Sequence, residues 1–305
     1  AIFRASDGES YLVGVIRDVT DLRHAQQALE RHREHLEELV QERTAALTAG
    51  TIVTAAAAMP AEFVHAAQRY HVTHVSGTPT FWRSFLIAAA GLPLGSLRQV
   101  TVGGEAVDEA TLARLARAYP EARVTHIYAS TEAGALFAVH DGKPGFPARW
   151  LETEIDGGTR LRVHDGELQV QSPRRMLRYV DRVTPATDDG WFPTGDLVRV
   201  CGDRVVFCGR RDAVINVGGM KVFPEEVESF LLGLPGIVEA KVRAKPNPIS
   251  GQALIAEVVL VADADPEATR QSALQACRTK LPRHQVPAVI RVVDSIAVNQ
   301  SWKKD

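Results

Sequence analysis

Residues 209–228 read GRRDAVINVGGMKVFPEEVE, and GWFPTGD stands just upstream at 190–196. Three unusual items follow one another. A Thr194-Gly195-Asp196 turn comes first, then a Gly209-Arg210-x-Asp212 step after one strand pair. A Gly218-Gly219 hairpin then leads into a Pro224-Glu225-Glu226 helix start. Paired glycines supply the positive φ angles of a two-residue hairpin. Proline is accepted in a first helical turn, where its missing N–H has no partner to lose. Few soluble folds need all three items in this order, so the run restricts the whole second half of the chain.

The surrounding pattern indicates an α/β chain. Between residues 51 and 128 strands and helices alternate: a strand at 51–57, a helix at 60–70, a strand at 72–76 and a helix at 80–90. A strand at 98–102, a helix capped by Asp108 and running to Tyr119, and a strand at 123–128 complete the series. Such alternation predicts a parallel sheet. From about Trp150 short strands separated by Gly turns, at 160–163, 167–171, 197–200 and 205–208, predict a small antiparallel region. After Arg211 come a hairpin, a helix at 224–232, strands at 238–244 and 253–261, a helix at 266–280 and a strand at 289–293. They read as a compact α+β unit with its own core.

The first fifty residues differ in character. Asp7-Gly8 is a turn signal inside a hairpin at 1–20, and Thr20 can cap a helix. That helix spans 21–47 without Gly or Pro; Leu22, Leu29 and Leu36 recur every seven residues, which is a coiled-coil stripe. A strand ending in Asp18-Val19-Thr20, followed by a charged helix ending near QERTAAL, resembles the C-terminal edge of a PAS sensor domain and its signalling helix. The resemblance implies a homodimer contact through residues 21–47. The expected boundaries are 1–20, 21–47, 48–211 for a large domain and 212–305 for a small one.

Bulk composition restricts partners. A formal net charge of -2 gives no reason for a nucleic-acid surface. The longest apolar runs fall short of membrane-spanning length, and the first residues do not read as a signal peptide. Cys201, Cys208 and Cys277 have neither metal-ligand spacing nor an even pairing, which fits a reduced, cytoplasmic setting.

Two segments fall at the carboxyl ends of predicted parallel strands, where open α/β sheets bind ligands: Gly103-Gly104-Glu105-Ala106 and Tyr128-Ala129-Ser130-Thr131-Glu132. The glycines admit a planar ligand close to the backbone, and Tyr128 offers a flat face for a purine. Thr131 offers a hydroxyl to a phosphate or carboxylate. Glu132 offers a hard oxygen that suits Mg²⁺. Asp196 can accept both hydroxyls of a ribose, and Arg210, fourteen residues on, returns after one hairpin to the same end with a planar fork suited to phosphate. Each segment alone is an ordinary surface feature; the combination carries the signal.

With those motifs in place, residues 48–305 resemble the adenylate-forming ligases, the acyl-CoA synthetases and the adenylation domains of peptide synthetases. The expected fold is therefore part of that family's parallel-sheet large domain plus a small α+β C-terminal domain, preceded by a helical coiled coil. The resemblance implies that Gly103, Gly104, Glu105, Ala106 and Tyr128 hold adenine, while Thr131 and Glu132 contact phosphate and Mg²⁺. It assigns Asp196 to the ribose, Arg210 to its support, Asp212 to the hinge of the small domain, and Gly218 and Gly219 to the thiol channel. The family's catalytic lysine aligns best with Lys303, although Trp302 replaces the usual glycine and Lys304 is adjacent. The Gly77-Thr78-Pro79-Thr80 segment resembles the one beside the family's acyl pocket, which Phe81 and Trp82 can line.

The implied reaction joins a small carboxylic acid to ATP as an acyl-adenylate. The acyl group then passes to a thiol of coenzyme A or of the phosphopantetheine on an acyl carrier protein. The family's phosphate loop has no counterpart before Thr51. Its absence implies poor ATP binding by this chain alone, an unpaired sheet edge and an uncovered apolar face. The alternative is a non-catalytic module, tied to the PAS-like segment and coil, that binds AMP or a carrier partner without turnover.

Overall fold

The computed structural model describes residues 2–4, 10–12, 53, 59–90, 92, 94–155, 157–176, 190–248, 250–299 and 303. The chain divides into two compact units, residues 1–52 with 178–183, and residues 53–177 with 184–305. In the first, β1 (Ile2–Arg4) and β2 (Ser10–Leu12) pair antiparallel with Ile2 opposite Leu12, consistent with the expected hairpin. The coiled coil expected at 21–47 lies outside the described residues.

The second unit opens with α1 (Pro60–Arg69), whose proline occupies the first turn as expected. β3 (His74–Gly77) leads to α2 (Pro79–Ala88). Thr78 caps α2, its hydroxyl accepting from Phe81 N at 3.0 Å. β4 (Gln99–Gly103) is followed by α3 (Glu109–Ala118), where Asp108 Oδ1 accepts from Thr111 N at 2.8 Å. Both caps satisfy amides that the helix itself leaves without partners. β5 (Arg123–Ser130) then turns back as β6 (Gly134–Val139).

The sheet order is β3-β4-β5-β6. The first three strands run parallel, in agreement with the alternating pattern, but β6 is antiparallel to β5. The reason is local: Ser130 pairs with Gly134 across a tight turn, and Gly134 takes a φ of 68° that reverses the chain without a crossover helix.

One face of this sheet packs Val100 and Val102 against Trp82, Phe85 and Leu115 to form an apolar core. The opposite face was expected to be apolar and is not. Register puts Ser76, Thr101 and Thr125 side by side there, with His74 beside Gln99. The Gln99 amide donates to Thr125 Oγ1 at 2.9 Å and to Thr101 Oγ1 at 3.2 Å, a polar ladder rather than a greasy surface.

β7 (Phe146–Pro147), β8 (Arg160–His164), β9 (Glu167–Gln171), β10 (Phe192–Cys201) and β11 (Arg204–Arg210) form the antiparallel region, in the order β7-β11-β10-β9-β8. Phe137, Phe146, Leu161, Leu168 and Val205 fill its core. Thr194-Gly195-Asp196, expected as a turn, lies inside β10. It interrupts the ladder there: the pairing to β9 slips between Pro193 and Leu197, and Gly195 adopts a φ of 77°. That slip is a bulge, which redirects side chains within a strand.

β12 (Ile215–Val217) and β13 (Met220–Val222) form the expected hairpin, with φ of 59° at Gly218 and 85° at Gly219. α4 (Pro224–Leu232), β14 (Ile237–Asn247), β15 (Gly251–Leu260), α5 (Pro266–Lys280) and β16 (Val289–Val292) complete the small unit. β14 and β15 pair antiparallel and β15 and β16 parallel, around a core of Val227, Leu231, Val242, Leu254, Val258 and Ile290. The Cys208 and Cys277 thiols are pushed up to about 11 by burial, so they act as small apolar groups. Among the described residues no helix is long and apolar enough to cross a membrane.

Gly145 fixes how β7 meets β11. Its φ is 69°, and a Cβ there would lie 1.9 Å from the carbonyl oxygen of Val205. Gly145→Ala is expected to lower stability by about 2–4 kcal/mol, from left-handed strain plus a clash with backbone. A urea titration giving a midpoint equal to that of the parent chain would contradict this packing.

Candidate functional site

The carboxyl ends of β4 and β5 stand side by side, Gly103 paired with Ile127, so the Gly103-Gly104 turn and Tyr128 occupy one edge of the sheet. Gly104 has a φ of 86°, and a Cβ on it would be 3.4 Å from Lys303 Cε and 3.8 Å from Lys303 Nζ. The methyl group of Thr78 would lie 3.6 Å from the same Cβ. Glycine thus leaves space that Lys303 enters from the far end of the sequence. A backbone loop holds Lys303: its N–H donates to Asn299 Oδ1 at 3.1 Å and its carbonyl accepts from Asn299 N at 2.8 Å.

Glu105 is directed elsewhere. Its carboxylate accepts from Thr80 Oγ1 at 2.8 Å and Thr80 N at 3.2 Å, which ties the turn to the start of α2. Ala106 is exposed. Trp82 is fully buried and Phe81 nearly so, with the Trp82 indole N–H donating to Thr101 O at 2.9 Å; both belong to the core.

Tyr128 is the pivot between the two sheets. Its ring stacks on Phe137, its cross-strand neighbour on β6, at 5.2 Å, and on Phe207 of β11 at 5.0 Å. Its hydroxyl donates to Asp196 Oδ2. The ring is therefore already engaged by two phenylalanines, and the polar tip serves the carboxylate. Burial, reinforced by the neighbouring carboxylate, pushes the Tyr128 phenol far above its usual range.

Asp196 and Arg210 are cross-strand partners on β10 and β11, with Arg210 Nη1 3.4 Å from Asp196 Oδ1. Arg210 Nη1 also donates to Thr194 O at 3.0 Å, and Arg210 Nε stands 3.4 Å from Asp212 Oδ1. Burial raises the Asp196 carboxyl above its ordinary range; the Tyr128 hydrogen bond and the Arg210 charge pull it part of the way back. Asp212 sits in the single 3₁₀ turn Arg211–Ala213 that joins β11 to β12, its side chain 78% exposed.

Thr131 and Glu132 form the tip of the β5–β6 turn, braced by Ser130 Oγ accepting from Ala133 N at 3.1 Å and by Glu132 O accepting from Met176 N at 2.8 Å. Among the described residues no cluster of three or more His, Cys, Asp or Glu could hold a metal ion. A single carboxylate with a hydroxyl beside it fits a Mg²⁺ that arrives on nucleotide phosphates rather than a resident ion. At the β12–β13 hairpin Gly218 N donates to Ser250 O at 2.9 Å, and a Cβ on Gly219 would meet nothing within 4 Å.

Sequence reasoning missed Glu167. It is 8% exposed; one oxygen accepts from Gly195 N at 2.7 Å and the other from Arg211 Nη2 at 2.8 Å. It thereby fixes the backbone next to Asp196 and the residue next to Arg210 together. Its only sequence signal is its place after the Asp165-Gly166 turn at the start of a strand.

Residues 35–180 match the AMP-binding enzyme family and residues 226–303 match the AMP-binding enzyme C-terminal domain. Feruloyl-CoA synthase of Amycolatopsis sp is 29% identical over 279 residues, covering 84% of this chain and 55% of the relative. The 2-succinylbenzoate–CoA ligase of Geobacillus kaustophilus is 36% identical over 167 residues, 53% of this chain and 33% of the relative. The crystal structure of an anthranilate CoA ligase in complex with anthranoyl-AMP superposes with a TM-score of 0.67 at 22% identity, over 80% of this chain and 50% of that one. The chain thus matches between a third and about half of the length of these relatives. Together the matches support the adenylate-forming ligase superfamily.

Removing the Tyr128 hydroxyl takes away a bond that lowers the Asp196 pKa. In Tyr128→Phe the Asp196 carboxyl is expected to titrate at higher pH than in the parent chain. Carboxyl-carbon NMR across an acid titration reads this directly; a midpoint that stays put or falls would contradict the geometry.

Proposed function

Taking the adenylate-forming ligase superfamily as the premise, we propose that this chain carries the nucleotide-handling and mobile parts of an acid–thiol ligase. It activates a small carboxylic acid as an acyl-adenylate and passes the acyl group to a thiol. The observation that carries this reading is Lys303, whose ammonium approaches the Gly103-Gly104 turn at the carboxyl edge of the parallel strands.

In the first half-reaction a carboxylate oxygen attacks the α-phosphorus of ATP and pyrophosphate leaves. Charge builds on the oxygens between the acid and the α-phosphate, and Lys303 stabilises it there. The glycine turn gives adenine and the acyl end close access to backbone. Asp196 accepts the ribose hydroxyls. Its two existing donors, Tyr128 and Arg210, hold it in place and pull its pKa down against the upward effect of burial. Arg210 lies close enough to Asp196 to add charge near the α-phosphate. Thr131 and Glu132 receive the phosphates and their Mg²⁺, which when bound neutralises phosphate charge. The chain's contribution is chiefly positioning and fixed charge.

In the second half-reaction a thiol attacks the acyl carbon and AMP leaves. The small domain turns about Asp212, whose exposure in a one-turn connector suits that task. The Gly218-Gly219 hairpin then lines the path of a narrow pantetheine arm, from coenzyme A or a carrier protein. Its open surface at Gly219 fits close backbone approach.

Acid-dependent exchange of labelled pyrophosphate into ATP tests the reading, scanned over aromatic and aliphatic carboxylic acids. The assay is run on the chain alone and with an N-terminal ligase half supplied. Exchange is expected with at least one acid, and Lys303→Ala and Asp196→Ala are each expected to lower it by about 10²–10³. Exchange that is indifferent to both substitutions would remove these residues from the chemistry.

A further inference from the structure

Four charged side chains sit where the α/β part meets the small unit, and the mechanism above uses none of them. Arg83 on α2 is 4% exposed and Glu239 on β14 is 5% exposed. Arg83 Nε lies 3.7 Å from Glu239 Oε1. Around the rest of its guanidinium, Nη1 lies 3.3 Å from Asp108 Oδ2 and 3.4 Å from Thr111 Oγ1, and Nη2 donates to Thr80 Oγ1 at 2.9 Å. One helical turn along α3, Arg114 donates to three carbonyls of the small unit: Ile237 at 2.7 Å, Leu232 at 3.0 Å and Val238 at 3.4 Å. Leu232 ends α4, so one of the three is a carbonyl that the helix cannot satisfy. Arg83 thus faces two carboxylates and Arg114 three carbonyls.

We propose that Glu239 and Arg83 form a docking pair that holds the small unit in the arrangement delivering Lys303 to Gly104. Glu239 is a positioning residue acting through Lys303; the consequence for catalysis rests on the function proposed above. Arg83 is held by Thr80, Asp108 and Thr111 of its own part of the fold, so it is set before the small unit docks. Glu239 arrives with β14. Pairing offsets part of the cost of burying a carboxylate, so Arg83 favours the docked arrangement. The same network reaches the site. Thr80 Oγ1 accepts from Arg83 and donates to Glu105, which neighbours Gly104. One short helix, α2, therefore joins the docking pair to the turn that Lys303 approaches. Rotation about Asp212 would have to separate Glu239 from Arg83 and the three carbonyls from Arg114, and both sets would regain water when apart. The pair favours one domain arrangement without preventing the other.

Amide hydrogen exchange on the 305-residue chain tests the pair without reference to activity. Glu239→Gln keeps the shape and removes the charge. About tenfold faster exchange is expected at residues 237–247, along α3, and at Asn299 and Lys303. The β15 amides, at the centre of the small unit, should keep the parent rate. As a control, Glu228→Gln alters a buried carboxylate that accepts from Val242 N inside the small unit, and it should leave the α3 amides unchanged. Parent-like exchange at α3 and Lys303 in Glu239→Gln would overturn the proposal, as would a uniform rise that includes β15. Should Glu239→Gln fail to fold, Arg114→Ala decides by the same criterion. Absence of pyrophosphate exchange in the parent chain would count against the proposed function and leave this pattern standing.

Discussion

The carboxylate of Asp196 ties the two halves of the α/β part together. It sits in a bulged strand of the antiparallel region, yet its hydrogen-bond donor, Tyr128, comes from the parallel sheet. A half-buried charge needs partners, and here they come from two other strands: Tyr128 on β5, and Arg210 on β11 opposite Asp196 on β10. Around that charge the aromatic rings of Tyr128, Phe137 and Phe207 stack in sequence, so the two sheets share one apolar seam. Shifting Asp196 would unsettle the seam, the bulge and the guanidinium together.

Glu167 extends the same logic outward. It grips Gly195 on one side of Asp196 and Arg211 on one side of Arg210, just before the exposed connector at Asp212. Glu167 thus reaches as far along the chain as Arg211. Beyond it, the small unit returns to the α/β part at Arg83 and Arg114, and its last described residue, Lys303, lies beside Gly104. A charge cluster, a short connector and a second docking surface fit the proposed pair of half-reactions, which would need different placements of one lysine.

Much of this was legible in the sequence where local chemistry decides the outcome. Pro60, Asp108, Pro224 and Pro266 mark helix starts through capping or a preset φ, and all four helices begin there or one residue on. The Asp196–Arg210 pairing was readable because one hairpin separates the two. Contacts between distant segments were not. Glu167 meets partners 28 and 44 residues away and reads locally as a surface carboxylate. Arg83 looks like the polar face of a helix until Glu239 is brought against it. Thr194-Gly195-Asp196 reads as a turn because Gly195 does take a positive φ, but neighbouring strands hold it inside β10. Tyr128 was expected to present an open ring, and no local signal shows that Phe137 and Phe207 stack on it.

The most direct measurement is a crystal structure of the chain with a non-hydrolysable acyl-adenylate analogue. The account predicts ribose hydroxyls within hydrogen-bond distance of the Asp196 carboxylate, and Lys303 Nζ against the bridge between acyl group and phosphate analogue. An adenosine bound elsewhere, with no ribose hydroxyl on the Asp196 carboxylate, would contradict it.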